Sequence, residues 1–241
     1  MLPMVKPLTK TEKEQLADRW VKLAKTSHVL KLRIDALTQA LRVHGTTSTV
    51  LTLCLQASAD IEKYMTVAQR VAMEFGATDD FSTPVRPGPL APTTMGIEQK
   101  VLYEVVYCCC VKAAVDGAIF GRIYEQCKWP SVKLAAHIIL EAKIWQGRLG
   151  WAHLGAAIEK VPTRWIEQHI LSMLKNCFEE HTHALSTVSK SRLDYGLVDS
   201  QTFTAVFCEV VNTVILPGFE SLSYNIESSR LWIKNIPKTT N

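Results

Sequence analysis

The sequence contains none of the short motifs that identify common enzyme classes. It has no Gly-rich phosphate-binding loop, no Gly-x-Ser-x-Gly turn, no dinucleotide-binding fingerprint and no Cys-x-x-Cys pair. These absences argue against nucleotide-dependent enzymes, serine hydrolases of the α/β type, thioredoxin-like oxidoreductases and the usual structural zinc sites.

A concentration of charge of one sign is also missing. The formal net charge is only +4, and the Lys and Arg residues are scattered among acidic residues. A nucleic-acid-binding protein needs a clustered basic surface, so we expect no nucleic-acid partner. Residues 1–10 have no apolar signal-peptide core, and no apolar run approaches the roughly 20 residues that span a bilayer. We therefore expect a cytoplasmic protein with no membrane partner.

Strand patterns are absent as well, since apolar and polar residues alternate over no more than a few positions. The seven cysteines include the run Cys108, Cys109 and Cys110. Three consecutive residues of one helix point in different directions, so they cannot converge on one metal ion. We interpret the cysteines as buried free thiols that behave as small hydrophobic residues.

What the sequence does contain is a series of amphipathic helices. Thr9 and Glu12 form a capping box, Gly45 and Gly76 end two helices, and Pro130 is placed to open another. The predicted helices span about 9–25, 27–44, 46–76, 97–128, 130–160, 163–189 and 200–216, the sixth opening at Pro162 and the last stopping at Pro217. Between residues 77 and 96 the chain has prolines at 84, 87, 89 and 92, which predict an extended connection.

This order of elements predicts an all-α fold. An antiparallel helix pair, a long crossover and a second antiparallel pair give a four-helix bundle with one long connection. We expect a single domain over residues 1–241, because a chain with 47% hydrophobic residues can bury one sizeable core. The bundle core is predicted over about 27–160, and segments 9–25, 163–189 and 200–216 are predicted to pack on it.

Two segments sharpen this interpretation. Residues 56–64 read Gln-Ala-Ser-Ala-Asp-Ile-Glu-Lys-Tyr, and residues 147–151 read Gly-Arg-Leu-Gly-Trp. Both resemble helices of the ferritin-like di-iron carboxylate superfamily, which includes bacterial ferritin-like proteins and subunits of phenylacetyl-CoA-type oxygenases. The resemblance implies a ferritin-like bundle and assigns the positions of the Glu and His ligands. In this chain those positions are occupied by Ser27, Ile61, Tyr64, Ala113, Lys143 and Gln146.

None of these residues reproduces the family's ligand set. A di-iron site needs carboxylates and imidazoles on facing helices. Ile61 cannot donate a lone pair, and Lys143 would place a cation where iron must lie. The resemblance therefore implies a bundle without a di-iron centre, and we predict no metal ion and no cofactor.

Four residues form the candidate site: Tyr64, Asp116, Lys143 and Gln146. A buried lysine is costly unless it is paired, and Asp116 lies about one helical turn from Ala113, so we predict an ion pair between Lys143 and Asp116. Two interpretations follow. The four residues are either a polar plug that fills a vacated metal site or an acid–base site with a lysine of lowered pKa, a tyrosine hydroxyl and an amide.

A shifted metal site is the remaining option for these helices. His137 and Glu141 are four residues apart on one helix, and Glu180 and His183 form a Glu-x-x-His pair. Single acidic residues on amphipathic helices usually face water, and Glu179, Glu180, His181 and His183 suggest a polar face next to a loop. We interpret all these groups as residues that are either solvated or satisfied by partners in the core. Lys31 lies one turn beyond Ser27 and is a further candidate for the group of polar residues around the lost ligand positions.

Three functions remain open from the sequence. The first is a metal-independent enzyme that acts on a small molecule in the cavity where the family's di-iron centre would lie. This hypothesis is slightly favoured because several residues at the lost ligand positions are reactive polar groups. The second is a non-catalytic structural subunit that partners an active ferritin-like oxygenase. The third is an oxidoreductase with a non-standard metal site. The enzyme hypothesis predicts a pocket between the second, third and fourth bundle helices, with Tyr64, Lys143 and Gln146 facing it. Either a homo-oligomer or a hetero-oligomer is compatible with the sequence.

Overall fold

A computed structural model describes residues 7–78, 81, 87–160, 163–185, 188 and 190–237. Its helices are α1 Lys10–Val43, α2 Ser48–Glu74, α3 Ile97–Val105, α4 Ala113–Gln126, α5 Pro130–Ile158, α6 Glu167–Leu185, α7 Ser200–Val210, α8 Leu216–Ser221 and α9 Glu227–Lys234. π-helical segments Val106–Lys112 and Val211–Ile215 join α3 to α4 and α7 to α8. The described residues contain no strand, which confirms the all-α class for this part of the chain.

Several helix ends follow from the local sequence as predicted. The Thr9 side chain accepts a hydrogen bond from the Glu12 backbone, and the Glu12 carboxylate accepts one from the Thr9 backbone. Pro130 lies in the first turn of α5, where its missing N–H costs nothing. Gly45 and Gly76 follow α1 and α2 with φ of 69° and 96°, a conformation that favours glycine.

The predicted break near residue 26 is wrong, because α1 is one continuous helix. Thr26 and Ser27 lie at the predicted boundary, and their residue types are common at helix caps. Here their hydroxyls instead donate to carbonyls of the preceding turn, Thr26 to Lys22 at 2.9 Å and Ser27 to Leu23 at 2.6 Å. These side-chain bonds are compatible with an uninterrupted helix.

Four long helices form the bundle: α1, α2, the continuous helix α3–α4, and α5. Asp35 of α1 accepts a hydrogen bond from Ser58 of α2 at 2.5 Å, and the two helices run antiparallel through the short turn between them. The helix α3–α4 is antiparallel to α1, as Arg33 pairs with Glu104 and Trp20 packs on Phe120.

α5 is antiparallel to α4, so it runs parallel to α1 and antiparallel to α2. The order of directions is therefore up, down, down, up, and the connection from α2 to α3 must cross the length of the bundle. Arg33 holds the described part of this crossover, because its guanidinium donates to the Gly88 carbonyl at 2.6 Å while it pairs with Glu104 at 2.7 Å. Pro84, the first proline of the predicted extended connection, lies outside the described residues.

The C-terminal third differs from the prediction in three ways. A short 3₁₀ turn at Arg164–Ile166 precedes α6, whose predicted limits at Pro162 and Ser189 lie outside the described residues. The last predicted helix does not stop at Pro217, since that proline falls in the first turn of α8, directly after a π-helical segment, where no N–H is required. α9 was not predicted.

The continuous helix Ser200–Ser221 is long and apolar enough to cross a membrane by length and composition, which corrects the expectation that no run is long enough. In the most apolar 18-residue stretch of this helix, only 44% is buried. Phe203, Phe207 and Phe219 of the same helix are nevertheless fully buried in the main core. One such helix is equally typical of a protein core.

The cysteines are free thiols, as predicted. All seven are described and unpaired by disulfide bonds, and only Cys208 is not buried. Burial raises the pKa of Cys108 to about 12 and that of Cys109 well above its ordinary value. Thiols of this kind are protonated and unreactive at neutral pH.

α5 and the π-helical segment Val106–Lys112 approach each other closely at Gly150. A Cβ on Gly150 would approach the Cys110 sulfur to 2.7 Å and the Cys109 carbonyl carbon to 2.8 Å. Gly150 itself is fully buried and lies in the helix interior. This glycine is therefore required for the close approach of two backbones rather than for a turn.

We expect Gly150→Ala to reduce the free energy of unfolding by about 1–3 kcal/mol, because the added methyl group meets backbone atoms that cannot move aside. Urea denaturation followed by circular dichroism measures this change.

Gly155→Ala is the matched control, since a Cβ at Gly155 in the same helix meets no atom within 4 Å. Its higher helix propensity should leave stability unchanged or raise it by up to about 1 kcal/mol. Equal effects of the two substitutions would contradict the predicted close contact.

Candidate functional site

The predicted ion pair between Lys143 and Asp116 is confirmed. The Lys143 Nζ atom lies 3.0 Å from an Asp116 carboxylate oxygen, and the exposed fractions of the two side chains are 4% and 15%. Lys143 projects from the middle of α5 and Asp116 from the first turn of α4. Gly117 of α4 faces the stem of Lys143, since a Cβ at Gly117 would lie 3.5 Å from the Lys143 Cβ, which is ordinary van der Waals contact.

The ion pair belongs to a longer chain of polar contacts, which we call the polar row: Ser27, Tyr64, Lys143, Asp116 and His181. Each residue comes from a different helix, in the order α1, α2, α5, α4 and α6. The Lys143 ammonium group donates to the Tyr64 hydroxyl at 3.4 Å, and the Tyr64 hydroxyl lies next to Ser27, whose own hydroxyl donates to the Leu23 carbonyl. The polar row therefore connects all four bundle helices and α6.

His181 is the member of the polar row that the sequence analysis missed. Its Nε2 lies 2.9 Å from the second Asp116 oxygen, and its Nδ1 lies 2.8 Å from the Cys177 carbonyl. Both neighbours are acceptors, so both ring nitrogens must donate and the imidazole is protonated. The ring stacks on Phe203 with centroids 5.1 Å apart. Of the two origins left open for His181, the structure shows the second, since the side chain is 18% exposed and is satisfied by partners in the interior rather than solvated on a polar face.

Glu180 does lie on the surface as interpreted, since its side chain is 46% exposed, and its carboxylate accepts hydrogen bonds from Tyr107 at 2.8 Å and from Lys112. A sequence signal for His181 did exist, because Cys177 four residues earlier marks the buried face of α6. The adjacent acidic pair, Glu179 and Glu180, outweighed that signal.

Burial and pairing act in opposite directions on the charged groups of the polar row. Burial alone would lower the pKa of Lys143, but its contacts with Tyr64 and the Asp116 carboxylate raise it above its ordinary value. Burial would likewise raise the pKa of Asp116, but Lys143 and His181 hold it well below the usual range. The expectation of a lowered pKa for Lys143 is therefore wrong, since this lysine stays charged at neutral pH.

The remaining groups of the polar row are equally fixed in their protonation states. Burial would lower the pKa of His181, but its hydrogen bond to Asp116 and its contact with Cys177 raise it to about 10. Burial raises the pKa of Tyr64, whose side chain is 1% exposed, so its hydroxyl is neutral. At neutral pH the polar row thus carries two cations and one shared carboxylate.

Gln146, the fourth candidate residue, does not join the polar row. It is 1% exposed, and both its Nε2 and Oε1 atoms are buried without a hydrogen-bond partner. A buried amide without partners costs about 1–3 kcal/mol for each unmet group, so this residue is not explained by packing alone.

The other positions assigned to lost ligands also lie in the bundle interior. Ser27, Ile61 and Ala113 are 3%, 0% and 1% exposed. Lys31, in contrast, lies outside this interior, because it pairs with Asp35 at 3.1 Å on the partly exposed side of α1. It is not part of the group of polar residues around the lost ligand positions, which corrects the sequence-based expectation.

The alternative metal ligands are not brought together. Within the described residues, no three or more His, Cys, Asp or Glu side chains are placed to hold one metal ion. His137 and Glu141 lie 3.6 Å apart on the surface of α5, with 44% and 63% of their side chains exposed. Glu180 of the Glu-x-x-His pair is engaged by other residues.

Cys177, His181 and Asp116 include the residue types of a nucleophilic triad, and the Cys177 sulfur lies 3.9 Å from His181 Nδ1. Two observations exclude that chemistry. Cys177 is 0% exposed, so no substrate can reach its sulfur. Nδ1 donates to a backbone carbonyl and therefore cannot accept the thiol proton.

A groove of about 890 Å³ lies outside the polar row, between α4, α5 and the continuous helix α7–α8. Lys143 contributes to its wall, but Tyr64 and Gln146 are not among its lining residues. The predicted pocket is therefore only partly matched: a groove does border the third and fourth bundle helices, but Tyr64 and Gln146 do not face it.

Comparison with known proteins finds no match: no protein-family model, curated protein or solved structure is similar enough to identify a family or fold. The fold is therefore described by its own contacts, and the ferritin-like resemblance rests on the residues quoted for it.

We expect Asp116→Asn to reduce the free energy of unfolding by about 3–5 kcal/mol, because it leaves two buried cations without a carboxylate. Lys143→Met should cost less, about 1–2 kcal/mol, since Asp116 keeps His181 as its partner. Chemical denaturation of both variants measures the difference.

Glu220→Gln provides the control for a carboxylate lost from an exposed ion pair. Its partner Arg230 lies 2.9 Å away, and both side chains are largely exposed, so the cost should stay below about 1 kcal/mol. If Asp116→Asn and Glu220→Gln reduce the free energy of unfolding by equal, small amounts, the polar row is solvated.

The raised pKa of His181 predicts a specific loss of stability at alkaline pH. Its folded pKa of about 10 exceeds the value near 6.5 of an ordinary histidine, so its contribution is complete below about pH 6.5 and declines as pH rises towards about 10. The lowered pKa of Asp116 acts in the opposite direction, and its contribution declines as the solution becomes strongly acidic.

Between pH 6.5 and 9.5, we expect the wild-type protein to lose at least about 2 kcal/mol more stability than His181→Gln, which has no titrating ring. Thermal melts across this range, paired with denaturant titrations, provide the comparison. Parallel pH profiles would contradict a protonated His181 in the native protein.

Proposed function

We propose that this chain is a helical-bundle protein of ferritin-like descent in which the polar row replaces the di-iron centre, and that it acts as a non-catalytic structural subunit. One observation carries the proposal. The Asp116 carboxylate is shared by Lys143 at 3.0 Å and His181 at 2.9 Å inside the protein, so neither its charge nor the lysine remains available to a substrate.

The ferritin-like part of the proposal is supported by topology and position. The up, down, down, up order with one long crossover is the arrangement expected of such bundles. Moreover, three residues that the resemblance assigned to lost ligand positions are neighbours in the interior, since Tyr64 lies beside both Ser27 and Lys143. Residues that once surrounded a common centre would be expected to remain neighbours.

The non-catalytic part is supported by protonation and access. A general acid or base works best with a pKa near the working pH and within reach of the substrate. Lys143 has a raised pKa and is 4% exposed, and Tyr64 has a raised pKa and is 1% exposed. A structural role, including partnership with an active ferritin-like oxygenase, requires neither property.

A metal-independent enzyme remains the second candidate, and a specific observation favours it. The Gln146 amide is buried with a free donor and a free acceptor, which a polar small molecule could satisfy. Lys143 also borders the groove, so a ligand bound between α4 and α5 would lie next to its side chain.

We expect the purified protein to contain far less than one iron per chain and to leave the rate of Fe(II) oxidation by air unchanged. The physical reason is that Ile61 and Lys143 cannot supply the oxygen and nitrogen ligands of a di-iron site. Elemental analysis and absorbance measurements after addition of iron test this expectation.

The control is His137→Ala, which removes the exposed histidine of the alternative pair and should have no effect on iron content. Stoichiometric iron that disappears in this variant would refute the proposal and favour the non-standard metal site. The enzyme candidate is tested on the same protein with a panel of small polar metabolites. A compound that raises the melting temperature of the wild type but not of Gln146→Leu would replace the structural proposal.

A further inference from the structure

A small pocket lies at one end of the four-helix bundle. The end of α1, the first turns of α3 and the last turns of α5 meet there, because α1 and α5 run up and α3 runs down. The pocket between them has a volume of about 160 Å³, and we call it the end pocket. His153 in its wall lies about 15 Å along α5 from Lys143. The end pocket is therefore a separate site from the polar row.

Much of the wall of the end pocket is aliphatic. One residue of α1 and two residues each of α3 and α5 contribute: Leu41, Val101, Leu102, Ala156 and Ala157. A volume of 160 Å³ is equivalent to about five water molecules at about 30 Å³ each. It is below the range of roughly 300–1,000 Å³ that is typical for drug-sized ligands. The end pocket therefore suits an organic molecule of only a few carbon atoms.

His153 is a polar group of the end pocket that packing does not explain. Its side chain is partly exposed, but its Nδ1 atom is buried without a hydrogen-bond partner. Burial, followed by the charge of Lys160, lowers the pKa of His153 below its ordinary value. The ring is therefore neutral at neutral pH, and the ammonium group of Lys160 lies close enough to act on it.

Among the described residues that line the end pocket, Lys160 is the charged group without an opposite charge beside it. The other two ionisable groups lie together at the rim, where the His44 Nδ1 atom is 3.5 Å from a Glu98 carboxylate oxygen. The Glu98 side chain is 76% exposed and also lies in the first turn of α3, where the helix dipole favours an acid. A ligand with one negative charge would therefore complete the charges of this pocket.

The polar groups of the end pocket suit a carboxylate better than a phosphate or a metal ion. A phosphate group presents several acceptor oxygens and up to two charges, which arginine recognises best, and no arginine is among the described residues that line the pocket. His44, Glu98 and His153 are not placed to hold one metal ion together. A monocarboxylate needs only one cation and a donor such as a histidine N–H.

We propose that the end pocket binds a small organic monocarboxylate, with its carboxylate group between His153 and Lys160 and its hydrocarbon part against the aliphatic wall. Removal of that hydrocarbon part from water contributes to binding, and the two basic side chains fix the orientation of the ligand. The inference is independent of the proposed function, because that proposal rests on Asp116 and its partners.

NMR titration of the full chain, with its histidine rings labelled with ¹³C, tests the proposal. The probes are butyrate, hexanoate and benzoate, and His153→Gln assigns the His153 signal by its loss. At least one probe should shift this signal with a Kd of about 1–5 mM, well within the limit for ligands of so few atoms. The pKa of His153 should rise in the complex, because an adjacent anion favours the protonated ring.

Two variants test the two parts of the site. Lys160→Gln should raise the Kd about three- to fivefold, the effect of losing a partly exposed ion pair. Ala156→Phe fills the end pocket and should remove the His153 shift, and circular dichroism shows whether this variant is folded. Lys160→Gln changes an exposed side chain, so its result does not depend on the folding of Ala156→Phe.

The matched control ligands are butyramide, hexanamide and benzamide, which have the size of the probes without their charge and should bind at least about tenfold more weakly. Lys175→Gln is the control variant, because Lys175 is exposed on α6 and does not line the end pocket. Its Kd should equal that of the wild type. No His153 shift with about 50 mM of any carboxylate would overturn the proposal, since Kd values above that range are not specific. Equal binding of acids and amides, or a response to inorganic phosphate or Zn²⁺ alone, would overturn it as well.

Discussion

The carboxylate of Asp116 is the group on which the centre of this protein depends. It contacts two buried cations, Lys143 and His181, and each of its oxygens accepts from one of them. Lys143 in turn donates to the Tyr64 hydroxyl. The polar contacts that join the four bundle helices to α6 therefore all pass through the Asp116 side chain. Burial of so many polar groups is tolerated only because each charged member has a partner.

This arrangement explains why the bundle interior differs from an ordinary apolar core. Replacing a buried ion pair with hydrophobic residues is often neutral or stabilising, so ion pairs are not retained for stability alone. Here the polar row joins helices that are distant in sequence, from α1 to α6, and satisfied polar contacts select one packing among several of similar apolar content. The proposed structural role and the polar interior are thus consistent, since a subunit that binds by shape needs one fixed arrangement of helices.

Much of the fold could be predicted from the sequence because caps, glycines and prolines act locally. Thr9, Gly45, Gly76 and Pro130 mark helix ends as the structure has them. The pair Lys143–Asp116 could also be predicted, because a lysine on the buried face of a helix requires an acid.

The rest depends on tertiary contacts that no local pattern encodes. Thr26 resembles a cap, but its hydroxyl bonds within a continuous helix. His181 follows two acidic residues and looks solvated, yet it is covered by Asp116 of α4 and by the ring of Phe203 of α7. The groove lies where α7–α8 leaves α5 uncovered, and that position is set by aromatic contacts such as Trp151 with Phe219, which join distant parts of the chain.

The π-helical segment Val106–Lys112 has a consequence for how this chain can be aligned and how it can vary. A π-helical turn behaves like an α-helix with one residue inserted, and each residue of a helix turns its successors by about 100°. The insertion therefore sets the direction in which every later side chain of α4 points, including Asp116. Any relative whose third helix is purely α-helical would align with this chain only through a one-residue gap. In evolutionary terms, a single-codon deletion within the segment could rotate Asp116 away from the interior and leave the helix itself intact.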